Sequence, residues 1–500
     1  MRDVAYEGLP YRVRRRLHLQ VATGLERANP EDSPGSLSMH FLHAGAFEEA
    51  WRYAVIAARK ARAEFANQEA AELYGRALTA ERRGPVGMVP ASELGAVLEE
   101  LGDTWFVIGL PAAASSAYAR ARHVLAGSPV RVGRVVVKEA RVDQRLRRLT
   151  PSLRRIRRAL NQLDGLPGED ACATRSLLEM RYAISRMGQG RVADALRWGD
   201  LAVRAAEDSC DRAVLADTWT NLQAMYLNAA QEPPLPYGEL ALQAYRELDD
   251  VPRQAHVVNN LAVAAFYRFA WGQAAEQFEA AAALYRRIGD AEGEANALFN
   301  RADVLVRQGH LEQASGLLDA ALPTARAVSE HELVALVLRE KGRVTARSGS
   351  ADHGRFLLCE ARDRFAELDE PGEVLATEAA IAEAELLAGD PAACLARCDR
   401  IGAADAGGLV PELHRLRGRA HLAAGDLGRA AAEFEAGVAA ARTRDDRFAH
   451  GLNLVGLAAT QRDGVRARTL ADGLGILQEL GVVALPLGER LVTREAPAQV

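Results

Sequence analysis

The sequence is poor in cysteine and lysine, and it lacks the segments that mark several classes of protein. Its five cysteines are irregularly spaced among 500 residues, so we expect no disulfide framework and a reducing compartment. Only three of its 62 basic residues are lysines, which leaves little room for lysine-based catalysis. No Gly-x-x-x-x-Gly-Lys-[Ser/Thr] motif occurs, which excludes a P-loop. No apolar run is long enough for a signal peptide or a membrane span, and we predict a cytoplasmic protein.

The charge balance also limits the function. The net charge of −5 excludes a globally basic coat for nucleic acid. No catalytic or metal-binding arrangement is visible, because the eleven histidines are scattered and neither His-Glu-x-x-His nor Gly-x-Ser-x-Gly occurs. We therefore predict a protein without enzymatic activity, cofactor or metal.

A repeat is the main positive feature. Helical runs rich in alanine are broken by short turns, as in RQGHLEQA at 307–314, LAGD at 387–390 and AGDLGRA at 424–430. The turns recur at a mean spacing of 40 residues, which predicts a stack of helical hairpins. They fall near Phe65, Gly109, Thr150, Gly188, Gln231, Gly272, Gly309, Gly349, Gly389 and Gly425.

The segment GQAAEQFEAAAALYRRIGD at 272–290 resembles a tetratricopeptide repeat. This resemblance implies an all-α, right-handed superhelical solenoid of about ten hairpins, with periods longer than the family's typical repeat. We predict an amino-terminal helical segment at 1–35, the solenoid at 36–480, and a carboxy-terminal cap and tail at 481–500. Since neighbouring hairpins alone bury the apolar faces, we expect no closed interior.

The first residues resemble one class of bacterial regulator. RDVAYEGLPY at 2–11, RVRRRLH at 12–18 and FLHAGAFEEAWRYA at 41–54 are similar to the junction and first repeats that follow an ATPase module. In that class a nucleotide cyclase or DNA-binding domain precedes a STAND-type ATPase and a tetratricopeptide sensor array. The resemblance implies a sensor array without its ATPase and output domains. A stand-alone gene, a split gene and a mis-assigned start all remain open.

Three asparagines lie in register with the repeat. Asn221, Asn260 and Asn300 are 39 and 40 residues apart, on the first helices of hairpins. An amide can pair with both the C=O and the N–H of an extended peptide, so these residues are candidates for peptide binding on a concave face. The alternative is that they only tie adjacent hairpins together. Charge-assisted contacts could come from nearby arginines: Arg268, Arg301 and Arg339.

The segment 131–158 is strongly basic, with eleven Lys or Arg against Glu139 and Asp143. We interpret it mainly as a hairpin with a solvated basic face. An acidic protein partner and nucleic acid are the alternatives, and the absence of aromatic residues between the arginines disfavours single-strand binding. Cys394 and Cys398 share a helical face, but we expect buried thiols rather than half a zinc site. The proline-rich segment 231–237 is interpreted as a rigid connection.

These features together predict a non-enzymatic scaffold that binds a protein or peptide on its concave face. Its role would be that of a regulatory or sensor module in bacterial signalling, with a separate ATPase or cyclase output protein as a possible partner. The alternative is a regulatory fragment of a cyclase or of an ATPase-type transcriptional regulator, with residues 12–16 and 131–158 near nucleic acid.

Overall fold

The computed structural model describes residues 10–28, 31–327, 330–404 and 407–486. These residues form twenty-four α-helices, a short 3-10 helix at Gly407–Leu409 and no extended strand, which confirms the all-α prediction. The first twelve helices are α1 (Tyr11–Ala28), α2 (Pro34–Ala44), α3 (Phe47–Ala63), α4 (Asn67–Arg83), α5 (Ala91–Val107), α6 (Pro111–Val124), α7 (Pro129–Arg145), α8 (Leu149–Leu163), α9 (Glu169–Met187), α10 (Val192–Asp208), α11 (Arg212–Asn228) and α12 (Tyr237–Glu247). The others are α13 (Val251–Tyr267), α14 (Trp271–Ile288), α15 (Ala291–Gln308), α16 (Leu311–Ala327), α17 (His331–Arg347), α18 (Ala351–Glu367), α19 (Pro371–Leu387), α20 (Pro391–Ala403), α21 (Val410–Ala423), α22 (Leu427–Thr443), α23 (Arg447–Ala458) and α24 (Asp463–Glu479).

The chain divides into two compact units. Unit 1 ends at Ala241 and unit 2 begins at Leu242, so α12 carries the boundary. The predicted borders at residues 35 and 480 stay a prediction. Residues 1–9 of the amino-terminal motif and 487–500 of the predicted tail lie outside the described residues.

The ten predicted turns all join the two helices of a hairpin. Each lies within three residues of a position with left-handed backbone conformation, which reverses the chain between the helices. Six of these positions are glycine, which adopts that conformation without steric cost. In chain order they are Phe65, Gly109, Arg147, Gly190, Ala230, Phe269, Gly309, Gly349, Gly389 and Gly425.

The recurring Gly-Asp pair performs two tasks at a turn. At Gly389 and Gly425 the glycine ends one helix in the left-handed conformation. The aspartate that follows caps the next helix, since Asp390 Oδ1 accepts from the N–H of Ala393 at 2.9 Å and Asp426 Oδ1 from that of Arg429 at 3.0 Å. The pair therefore stops one helix and starts the next within two residues.

Small residues allow the two helices of a hairpin to approach closely. In the hairpin of α17 and α18, a Cβ added to Gly354 would lie 2.6 Å from the carbonyl oxygen of Gly342 and 2.7 Å from the Cβ of Ala346. Gly316 on α16, by contrast, has nothing within 4 Å of that position. The crossing point thus requires glycine, whereas the outer surface does not.

We expect Gly354→Ala to lower the free energy of unfolding by about 1–3 kcal/mol, because the added methyl group must push the two helices apart. Gly316→Ala is the matched control and should raise it by about 0.5–1 kcal/mol, since alanine is the better helix former. Urea unfolding of both variants measures the difference. Equal effects of the two substitutions would contradict the close crossing.

Unit 2 does not remain an open stack, contrary to the expectation of no closed interior. The ring of Phe448 at the start of α23 packs edge-on against Trp271 at the start of α14, with 5.0 Å between centroids. The N–H of Val483 donates to the carbonyl of Gln308 at 2.7 Å, and Gln308 Nε2 donates to the carbonyl of Leu480 at 3.1 Å. The last described residues are thus packed against α14 and α15. The expectation was wrong here because nearest-neighbour stacking leaves the apolar faces of the last hairpin uncovered.

Candidate functional site

The first helices of several successive hairpins pack directly on one another. In unit 2, α15 packs on α17, α17 on α19, α19 on α21 and α21 on α23, and in unit 1 α7 packs on α9 and α9 on α11. The second helices pack mainly between first helices, on their own hairpin and on the next. In a curved stack the layer whose members approach each other is the inner one. We call this layer the inner face of a unit.

The repeat register places the three asparagines at equivalent positions on first helices. Asn221, Asn260 and Asn300 each lie nine residues before the left-handed residue of their hairpin, at Ala230, Phe269 and Gly309 respectively. Asn221 belongs to unit 1, and Asn260 and Asn300 belong to neighbouring first helices of unit 2. Of the three predicted asparagines, only Asn260 and Asn300 therefore belong to the same unit.

The amides of these asparagines are not bonded to neighbouring hairpins. Asn221 Nδ2 donates to the carbonyl of Asp217 on its own helix at 2.7 Å, and Asn260 Nδ2 lies 3.2 Å from the ring nitrogen Nε2 of His256, also on its own helix. Asn300 makes no hydrogen bond within the part of the chain that the structure describes. All three side chains are partly exposed. None of the three donates a hydrogen bond to another hairpin among the described residues, and the choice between the two roles stays a prediction.

That role belongs to a different asparagine. Asn453 on α23 is fully buried, and its Nδ2 donates to the carbonyl of Pro411 on α21 at 3.2 Å and to that of Ala449 at 2.9 Å. It therefore links two neighbouring first helices. The 40-residue spacing did not reveal it, because no asparagine stands in register with it.

The three candidate arginines have different surroundings. Arg268 is exposed immediately after α13. Arg301 Nη2 lies 2.9 Å from Glu279 on α14, and Arg339 pairs with Glu340 at 3.3 Å and with Glu373. Two of the three already have acidic partners, so a role in ligand binding stays a prediction that requires exchange of those partners.

A buried network of arginine and glutamate on unit 2 was not anticipated from the sequence. Glu383 on α19 accepts from Arg347 on α17 at 2.6 Å and from Arg415 on α21 at 2.7 Å, and each of these side chains is at most 6% exposed. Burial opposes the ionisation of Glu383, but Arg347, Arg415 and Arg343 outweigh it and hold the pKa of this carboxyl below its ordinary value. One carboxylate therefore joins three successive first helices.

We expect Glu383→Gln to lower the free energy of unfolding by about 3–5 kcal/mol at pH 7, because it removes the carboxylate that Arg347 and Arg415 share and leaves Arg415 only its longer contact with Glu412 at 3.4 Å. The depressed pKa means that this stabilisation is present above pH 4.5 and is lost as the pH falls through the folded-state value. Denaturant unfolding at pH 7 and pH 3 should show the variant's deficit shrinking in acid. The exposed Glu435→Gln on α22 is the control, and a deficit equal at both pH values would contradict the assignment.

The basic segment 131–158 is only partly the solvated face that we expected. Its two acidic residues, Glu139 and Asp143, are buried on α7. Glu139 accepts from Arg122 Nε at 3.0 Å and Asp143 pairs with Arg155, so part of the charge is neutralised inside unit 1. Three arginines of the segment also meet aromatic rings from other helices, Phe106 and Tyr182, at 5.5–5.9 Å from ring centroid to guanidinium carbon. No aromatic residue lies within the segment itself, and the fold brings these rings to the arginines from distant sequence.

Unit 1 also buries a carboxyl group without a hydrogen-bond partner. Glu179 on α9 is 8% exposed, and its Oε2 has no partner among the described residues. Burial raises the pKa of Glu179 from 4.5 to about 7, against the opposing charge of Arg175. The group is therefore protonated in acid and forced to ionise above neutrality.

We expect Glu179→Gln to stabilise unit 1 at pH 8 by about 2–3 kcal/mol, since the folded wild type must ionise a buried carboxyl there. A raised folded-state pKa contributes stability below pH 4.5 that disappears as the pH rises through about 7. The two proteins should therefore unfold alike at pH 4. Chemical unfolding across this range measures the effect, with the exposed Glu207→Gln as control. Parallel curves at all pH values would refute the buried-acid assignment.

The remaining sequence candidates lie in buried or apolar surroundings. Cys394 and Cys398 are both fully buried in an apolar cluster, and no group of three His, Cys, Asp or Glu residues in the described ranges could hold a metal ion. Tyr237, at the end of the proline-rich segment, is buried with its ring 6.2 Å from that of Tyr226. No described helix is long and apolar enough to cross a membrane.

Comparison with solved structures places the chain among helical-repeat proteins. The apo form of RapI matches with a TM-score of 0.56 and 12% identity, over 70% of this chain and 98% of that one. A STAND protein with a tetratricopeptide repeat sensor from Pyrococcus horikoshii matches with a TM-score of 0.47 and 13% identity, over 71% of this chain. This chain spans about half the length of the Pyrococcus protein, 52% of it.

A Rap protein complexed with Competence and Sporulation Factor matches with a TM-score of 0.45 and 13% identity, over 78% of this chain and all of that one. No protein-family model matches the sequence, and a search of curated proteins finds no match. At these identities the likeness concerns the fold alone. The chain is an all-α solenoid of tetratricopeptide-like hairpins, as its repeat predicts.

Proposed function

We propose that this protein is a non-enzymatic scaffold that binds a protein or peptide segment on its inner face. In this proposal it acts in the cytoplasm as a regulatory or sensor module of bacterial signalling, and its partner is an ATPase or cyclase output protein on a separate chain. Support comes from the repeated hairpin architecture, which exposes a long row of first helices.

The observation that carries the proposal is the unused hydrogen-bonding capacity of Asn260 and Asn300. The two amides stand at the same register position on neighbouring first helices, and neither bonds to another hairpin. Asn453 shows what an asparagine of this fold does when its role is structural, since it is buried and bonded across hairpins. Asn300 offers both donors and an acceptor to a peptide backbone, and Asn260 keeps an acceptor and a second donor beside its contact with His256.

Binding on such a face also supplies a route for regulation. Each hairpin contacts chiefly its neighbours, so a ligand that touches several first helices favours one relative arrangement of them. The change is then transmitted along the stack without any catalytic group. This mechanism requires only that the ligand bind one arrangement more tightly than another.

The test uses the full chain as bait in extract from its native cytoplasm, with mass spectrometry of what is retained. We expect Asn260→Ala combined with Asn300→Ala to reduce retention of the wild-type partner about tenfold, since each lost hydrogen bond removes about 0.5–1.5 kcal/mol. The midpoint of thermal unfolding should move little, because these side chains tie no hairpins together.

Asn453→Ala is the matched control. It should lower the unfolding midpoint, because it leaves the carbonyl of Pro411 without its buried donor. Unchanged retention by the Asn260 and Asn300 double variant, or a loss of thermal stability in that variant equal to that of Asn453→Ala, would contradict the proposed binding role.

A further inference from the structure

A cleft in unit 1 is strongly cationic. It has a volume of about 410 Å³ and lies between α5 and α7. Four of its lining side chains are cationic and one is a carboxylate, that of Asp103. Its cationic residues are Arg62, Lys138, Arg141 and Arg145.

The repeat register explains why these charges converge. Lys138, Arg141 and Arg145 lie nine, six and two residues before Arg147, the left-handed residue of their hairpin. Spacings of three, four and seven residues place them on one side of α7. The ninth position before the turn is the one that Asn260 and Asn300 occupy in unit 2. The cleft is thus lined by first-helix residues at the same register.

The charges in the cleft are not equally available. Lys138 Nζ lies 2.9 Å from Asp103 and 3.4 Å from Glu99, so its charge is neutralised locally. Asp103 also accepts from the hydroxyl of Tyr118 at 2.7 Å. Arg141 and Arg145, by contrast, form no ion pair within the described ranges. Arg62 forms none there either, but only Arg141 and Arg145 lie one turn apart on α7, and we call these two the free cations of the cleft.

An aromatic ring positions the two free guanidinium groups. Their central carbons lie 5.5 Å and 5.6 Å from the ring centroid of Phe106 on α5. Stacking on an aromatic face restrains a guanidinium group while its N–H donors stay available for a ligand. Two side chains that would otherwise be mobile are thereby held at one wall of the cleft.

A third arginine adds to the positive potential. Arg181 on α9 stands nine residues before Gly190 and forms no ion pair with a described residue; its nearest acceptor is Gln144 Oε1 at 3.4 Å. Burial, together with the like charge of Arg141, lowers the pKa of Arg181 to about 10. An anion in the cleft would relieve this repulsion.

We propose that this cleft binds an acidic peptide segment in extended conformation, with two carboxylates on alternate residues paired to Arg141 and Arg145. Residues four apart on a helix have Cβ atoms about 5–6 Å apart. Side chains on alternate residues of an extended peptide are spaced by about 7 Å. The long arginine side chains can span the difference of about 1–2 Å between these two spacings. Each guanidinium group can hold a carboxylate by two parallel hydrogen bonds.

The surroundings favour a peptide over nucleic acid. Asp103 and Glu99 stand in or beside the cleft and repel the closely spaced phosphates of a polynucleotide. A peptide places its acidic groups only where the two free arginines lie and presents neutral backbone to Asp103. This site is separate from Asn260 and Asn300, so it goes beyond the proposed function of those residues and can be tested without their partner.

The test measures binding of a fluorescein-labelled peptide, (Glu-Thr)4, to the full chain by fluorescence anisotropy at low salt. We expect (Glu-Thr)4 to bind at least about tenfold more tightly than neutral (Gln-Thr)4, and added salt to weaken it. Arg141→Gln combined with Arg145→Gln should reduce the affinity for (Glu-Thr)4 about tenfold or more. The midpoint of thermal unfolding should fall only slightly, because both side chains are exposed and lose no more than their contact with the ring of Phe106.

Arg148→Gln combined with Arg154→Gln is the matched control. It removes the same charge from two exposed arginines of the same basic segment that lie outside this cleft, and it should leave the affinity within about twofold. The Asn260 and Asn300 double variant should also bind (Glu-Thr)4 like the wild type, which separates this proposal from the preceding one.

Three results would overturn the proposal. Equal binding of (Glu-Thr)4 and (Gln-Thr)4 would show that the carboxylates are not recognised. Equal losses in the two arginine double variants would show that only overall charge matters. Tighter binding of a single-stranded oligonucleotide of the same charge, lost in the Arg141 and Arg145 variant, would assign the cleft to nucleic acid.

Discussion

Close packing between the two helices of each hairpin is the constraint on which the structure depends. Neither helix can bury its apolar stripe alone, so small residues must let the backbones approach, as Gly342 and Gly354 do between α17 and α18. The left-handed turn fixes the angle at which they meet. Together these two requirements determine which positions of each first helix face inward. The inner face is therefore set by packing, and the residues placed on it are free to differ.

The two units use this freedom in opposite ways. In unit 2, Arg347 and Arg415 are brought to Glu383 and their charges cancel in a buried network. In unit 1, Arg141 and Arg145 lie in a cleft whose one lining carboxylate already pairs with Lys138. A buried and neutral network holds first helices together, whereas an uncompensated cluster gains free energy only when an anion is bound. Charged residues of first helices thus stabilise the packing of helices in unit 2, whereas in unit 1 they form the proposed binding site for an acidic peptide.

Features that depend only on local structure, such as the helix ends and turns, could be predicted from the sequence. The turns could be located because a left-handed residue and a capping aspartate are local requirements, as at Gly389 and Asp390. The alternate roles of asparagine could not be separated, since only packing distinguishes Asn453 from Asn300. The buried partners of the basic segment, and the ring of Phe106 between its arginines, were missed for the same reason. Contacts between positions about 35–40 residues apart depend on how hairpins stack, which periodicity alone does not specify.

The folding back of the last hairpin has a mechanical consequence for unit 2. In a linear stack the end hairpin lacks a neighbour and can separate at little cost. Here Phe448 is packed against Trp271, and Gln308 is bonded to the chain after α24, so the end of the unit contacts its beginning. Any change in the angle between successive hairpins of unit 2 must strain or break these contacts. A ligand that acts on unit 2 therefore has to supply enough differential binding energy to offset them, which favours a partner that touches several first helices at once.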